Sequence, residues 1–91
     1  METPPSYTIT VEIPHLAYDR LVIRVHHGPH LLETGTYPAK DLDEITRSII
    51  DCAVKYHACK PEICIQSHGL ALPVIARCRA LGYRVREKFR W

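Results

Sequence analysis

Apolar residues recur at every second position from Tyr7 to Ile13. Tyr7, Ile9, Val11 and Ile13 fall on one side, and Thr8, Thr10 and Glu12 on the other. That period belongs to a half-buried β-strand. Pro14 closes it, and His15 to Asp19 read as a short connection. Leu21, Ile23 and Val25 then alternate with Val22 and Arg24, predicting a second strand over Leu21 to His26. His27-Gly28-Pro29 is turn chemistry, so His30 to Tyr37 should return as the third strand of a hairpin. Gly35 is expected to weaken that strand and to mark a bulge.

Beyond Pro38 the period lengthens. Leu42, Ile45, Ile49, Cys52, Ala53 and Tyr56 form a helical stripe, with Asp41 as N-cap and Glu44 three residues later, a capping-box arrangement. Asp43, Arg47, Asp51 and Lys55 recur every four residues on the outer face. They predict a ladder of opposite charges worth about 0.2–0.5 kcal/mol per pair. Ile63-Cys64-Ile65 is a short apolar run, suited to a strand covered on both faces. Ala71, Val74, Ile75, Cys78 and Leu81 predict a helix over Leu70 to Leu81, started by Ser67 or Gly69 as cap and ended by Gly82 in the left-handed conformation. The last stretch alternates again. Arg84, Arg86, Lys88 and Arg90 fall on one side of a strand, and Tyr83, Val85, Phe89 and Trp91 on the other, interrupted by Glu87.

The resulting order is β-β-β-α-β-α-β. Three early strands suit an antiparallel meander. The last two, each reached through a helix, must lie parallel to a neighbour. The expectation is therefore an α/β (α+β) domain over residues 6–91, behind a flexible tail at 1–5, with two helices packed on a single mixed sheet. This order resembles a pared-down ribonuclease-H-like fold, a likeness of topology covering most of the chain. Activity in that family depends on metal-binding carboxylates on the first strand, the first helix and the end of the fourth strand. The resemblance would bring Glu12 and Glu44 to two of those places, whereas Gln66, Ser67 and His68 at the third supply no acid.

A chain of 91 residues with 46% hydrophobic and 24% charged content suits one folded domain. The opening Met1-Glu2-Thr3-Pro4-Pro5 has no apolar core of a leader, and no apolar run approaches the length of a membrane span. A soluble, cytoplasmic protein without membrane contact is the expectation, and its four cysteines should be reduced. The net charge of +2 is unevenly spread. Residues 1–60 hold eight acids and six bases, whereas residues 61–91 hold two acids, Glu62 and Glu87, and six bases.

That asymmetry points to an anionic partner. Arg84, Arg86, Lys88 and Arg90 would make a cationic line about 20 Å long, within reach of several phosphates. Arg77 and Arg79 from the preceding helix and the terminal Trp91 would support it. The plainer reading is an edge strand kept soluble by charge. Ser67-His68-Gly69, where a parallel strand hands over to a helix, is an anion-site candidate. Cys52, His57, Cys59, Cys64 and His68 crowd together, but without paired knuckles at zinc spacing. His26, His27 and His30 cluster at the hairpin tip.

From these signals neither a metal, a cofactor nor a catalytic residue is expected. The leading expectation is a non-enzymatic module that contacts a nucleic-acid backbone or nucleoprotein complex. Next stands an adaptor or inhibitor of the phage or plasmid accessory type, docking the same edge on an acidic protein. Third is a histidine-dependent hydrolase or nuclease. A homodimer through an edge strand is compatible with any of them.

Overall fold

The computed structural model describes residues 7–13, 20–56, 61–66 and 71–88. They form β1 (Tyr7–Glu12), β2 (Arg20–His27), β3 (His30–Pro38), α1 (Leu42–Lys55), β4 (Glu62–Gln66), α2 (Leu72–Ala80) and β5 (Val85–Lys88). One mixed sheet has the order β3-β2-β1-β4-β5. β1 and β3 each pair antiparallel to β2, whereas β4 lies parallel to β1 and β5 parallel to β4. This is the α+β architecture expected from the periodicities.

Both helices lie on one face, and handedness explains why. The crossover from β3 to β4 and that from β4 to β5 advance in the same direction across the sheet, so two right-handed connections must pass over the same side. The core follows that geometry. Ile9, Val11, Leu21, Ile23, Val25, Ile63 and Ile65 on the strands are buried in one cluster with Ile45, Ile49, Cys52, Val74, Ile75 and Cys78 of the helices. The Ile63-Cys64-Ile65 run is buried throughout, but among the described residues it does not lie between two helical layers. Cys64 belongs to the opposite face, and charged side chains rather than a helix lie over it.

Local chemistry sets the corners. Gly28, at φ +61°, takes the first of two hairpin positions before Pro29. A positive φ there gives the backbone twist that matches the flanking strands. The expected bulge is present but not at Gly35, which pairs in regular register with Ile23. The register instead jumps between Val25–Glu33 and His26–Leu31, leaving Leu32 as the extra residue. Gly35 has a different duty: the Tyr37 ring lies where a side chain at Gly35 would project.

α1 opens as its sequence predicts. The Asp41 carboxylate accepts from the Glu44 N–H at 2.8 Å, and Glu44 reaches back to the Lys40 N–H at 2.9 Å. The expected i,i+4 ladder on its outer face is replaced by longer reaches. Asp43 pairs with Arg77 on α2, and Lys55 with Glu33 on β3. Tertiary partners of opposite sign took the charges that the isolated helix would have paired internally.

α2 begins at Leu72 with Ala71 as N-cap, so neither Ser67 nor Gly69 caps it, and no side chain accepts there. Pro73 fits in the first turn because its missing N–H has no intrahelical partner to lose. At the other end Gly82, at φ +93°, donates to the Arg79 carbonyl at 3.0 Å, and Tyr83 donates to the Cys78 carbonyl at 3.2 Å. This paired closure aims the chain back along the sheet as β5.

Candidate functional site

With the helices on one side, the opposite face of the sheet carries no helical layer among the described residues. The register assembles it rung by rung. Thr34, Arg24, Thr10, Cys64 and Arg86 stand in one line across all five strands. Leu31, His26, Thr8 and Glu62 form the neighbouring rung. Arg24 and Arg86 thus flank a floor of Thr10 and Cys64, with backbones about 14 Å apart at three strand spacings. Each guanidinium meets one carboxylate: Arg24 with Glu12 at 2.9 Å, and Arg86 with Glu62 at 3.3 Å. Arg86 also donates to the Cys64 sulfur at 3.6 Å, and the thiol reaches Glu62 at 3.8 Å. These side chains leave Cys64 only 1% exposed on an otherwise open face.

The basic tail enters this face at its edge. Val85–Lys88 form the edge strand, and ahead of it the Arg84 carbonyl accepts from the Ile63 N–H at 3.0 Å. Arg86 is opposite Cys64 and Lys88 is opposite Gln66, so Arg84, Arg86 and Lys88 share the open face. Tyr83 and Val85 pack on the core from the other side. The alternation therefore places the described members of both sets where the sequence predicts, and Phe89 lies outside the described residues. Arg90 and Trp91 lie outside the described residues, as do Ser67, His68 and Gly69.

Arg77 and Arg79 do not join this row. α2 holds them on the helical side, where Arg77 pairs with Asp43 of α1. Arg79 reaches the Glu87 carboxylate at 3.4 Å and the Val85 carbonyl at 3.0 Å. Glu87, paired with Ile65 on the core face, anchors a guanidinium from below the sheet edge. The expectation that these two arginines extend the cationic line is corrected: helix and strand present their charges to opposite sides.

Other sequence candidates are pulled apart in the same way. Cys52 packs on the helical side of the sheet and Cys64 on the open side, so they cannot ligate one ion. His57, Cys59 and His68 lie outside the described residues. His26 shares the open face with Thr8 and Leu31, whereas His27 stacks on the Tyr7 ring at a 4.2 Å centroid distance. The hairpin imidazoles therefore diverge. Glu12 stands on the open face while Glu44 serves the α1 cap behind the sheet. Among the described residues no three His, Cys, Asp or Glu side chains gather to hold a metal ion.

One polar cluster is invisible to sequence patterning. Glu33 projects from the helical face of β3 and accepts from Lys55 at 2.7 Å and Tyr56 at 2.9 Å. Hydrogen bonds from Lys55 first, then Tyr56, hold its carboxyl below the ordinary value, and the same contacts raise the Lys55 and Tyr56 values. This knot fastens the end of α1 to the hairpin. Its only sequence signal is an acid on the core side of a strand.

No family model matches the chain, and no curated protein does. Solved structures do. A protein of unknown function with an actin-like ATPase fold from Bacteroides thetaiotaomicron superposes with a TM-score of 0.76 at 8% identity, over 93% of this chain and 33% of that one. A mutant of gp2c of the large terminase subunit from bacteriophage Sf6, solved with calcium, superposes with a TM-score of 0.71 at 9% identity, over 94% of this chain and 38% of that one. The chain thus spans about a third of one neighbour and under two fifths of the other. At such identities the likeness is one of fold, and it agrees with the ribonuclease-H-like topology read from the element order. Among the described residues no helix is long and apolar enough to cross a membrane.

Proposed function

We propose that this domain is a binding module whose open sheet face and β5 edge contact the phosphate backbone of a nucleic acid. The observation that carries the proposal is the placement of Arg84, Arg86 and Lys88 on one uncovered face, with Arg24 on the same face three strands away. Among the described residues five cations, Arg20, Arg24, Arg84, Arg86 and Lys88, share that face with two carboxylates, Glu12 and Glu62. The ion pairs do not remove the argument. Exposed pairs contribute only about 0–1 kcal/mol, so a phosphate can displace Glu62 from Arg86 at little cost. Threonine hydroxyls at Thr8, Thr10, Thr34 and Thr36 add uncharged donors suited to phosphate and sugar. The described part of the face presents no phenylalanine, tyrosine or tryptophan ring for stacking, and the His26 imidazole alone stands there, which favours backbone over base recognition.

The test is fluorescence anisotropy with random-sequence DNA and RNA at two salt concentrations. Binding should weaken with salt and be lost in the Arg84→Glu/Arg86→Glu variant. Absence of binding, or affinity indifferent to salt, overturns the proposal. A second reading is favoured by one contact: Arg86 already holds a carboxylate, Glu62, as it would hold one from an acidic protein. Capture of a single protein from nuclease-treated lysate, lost in the same variant, would select that reading.

A further inference from the structure

The two edges of the sheet are unlike. β5 is four residues long, and Arg84, Arg86 and Lys88 line it and its approach. β3 is nine residues long and carries no lysine or arginine. Its only carboxylate, Glu33, is turned to the helical side and engaged by Lys55 and Tyr56. Long neutral edges present unpaired backbone donors and acceptors, and proteins ordinarily blunt them with charge. Here the blunting device is the bulge at Leu32, which confines the straight run to residues 33–38.

We infer that β3 is a self-association edge, at which a second copy of this chain adds its own β3 antiparallel to form a continuous ten-stranded sheet. A twofold interface sets every residue against its own kind or a near neighbour, so the edge must tolerate its own charge. β3 does and β5 does not. With the axis at Gly35, Thr34 stands opposite the second copy's Thr36, a favourable cross-strand pair. Glu33 then meets Tyr37 rather than another Glu33. Gly35 at the axis has no side chain, and its neighbouring space is already filled by the Tyr37 ring. Beyond the straight run, Leu31 and Leu32, 54% and 46% exposed, come against the Pro38 end of the other copy and lose water there. The nucleic-acid proposal shares only the Thr34 and Thr36 hydroxyls of this strand, its cations standing on β2 and at β5, and sedimentation without nucleic acid tests the pairing by itself.

Sedimentation velocity over a concentration series should show a monomer–dimer equilibrium for the unaltered chain. Thr34→Lys/Thr36→Lys and Thr34→Glu/Thr36→Glu should each be monomeric, because like charges then face across the axis. Both threonines are exposed, so folding should be retained, as checked by circular dichroism. Mixing the two variants should restore a dimer containing one of each. Amide exchange of the unaltered chain gives a readout that needs no variant: N–H groups within Thr34–Tyr37 should slow as concentration rises. A monomer throughout the series, charged variants that remain dimeric alone, a mixture that stays monomeric, or concentration-independent exchange overturns the inference.

Discussion

Glu62→Gln is the perturbation that separates a row of cations built for a ligand from one that merely balances the surface. Glu62 meets Arg86 at 3.3 Å, and the two side chains are 33% and 61% exposed. A pair so open to water contributes less than about 1 kcal/mol. Stability should therefore fall little, by no more than about 4–8 °C in melting temperature for a domain of this size. Binding should move the other way. The freed guanidinium gains one phosphate contact, which steepens the dependence of log affinity on log salt by about 0.9. Between about 50 and 200 mM salt the variant should lose about 3–4-fold more affinity than the parent, starting from a tighter value at the lower salt. Arg86→Gln should flatten the slope by a similar amount. The double variant should behave as Arg86→Gln alone, since removing the acid matters only while the arginine is present. The assay is anisotropy of labelled random-sequence duplex titrated at both salts. If Glu62→Gln binds as the parent does at both, phosphate does not compete for Arg86, and the nucleic-acid reading of this face is wrong.

Three further outcomes follow from the contacts. Asp41→Ala removes the acceptor for the Glu44 N–H and should cost about 1 kcal/mol, or about 4–8 °C in melting temperature, whereas Asp41→Asn should recover most of it. The Glu33 carboxyl is held below its ordinary value of 4.5, so its contribution is present above that pH and lost as pH falls through the lower folded-state value. The stability gap between the parent and Glu33→Gln in urea should accordingly be constant near neutrality and vanish in acid; a gap that widens in acid would contradict the knot with Lys55 and Tyr56. Burial pushes the Cys52 and Cys78 thiols up to about 11, and Cys64 is shielded by Arg86 and Glu62. Site-resolved alkylation at pH 8 should leave all three unmodified until urea is added.

How much of this was legible beforehand differs from element to element. The strands around Ile9, Ile23 and Ile65 and the stripe from Leu42 to Tyr56 could be read directly, because one face of each is buried and the burial writes its own period into the sequence. Gly82 and Asp41 were legible because a left-handed closure and an N-terminal acceptor each demand few residue types. The start of α2 was misplaced because Ala71 carries no capping group to read. The bulge was misassigned to Gly35 because a glycine in a strand has several causes, and here the cause was the Tyr37 ring.

The candidate face shows the same division. Period-two alternation placed Arg84, Arg86 and Lys88 together, since strand geometry alone fixes which residues share a side. No local rule could tell that Arg77 and Arg79 turn away from them, that Arg24 faces Arg86 across Thr10 and Cys64, or that Glu62 closes on Arg86. Those relations join residues far apart in the chain. They were decided by strand order and by two right-handed crossovers that put both helices on one side, with no helical layer on the other among the described residues.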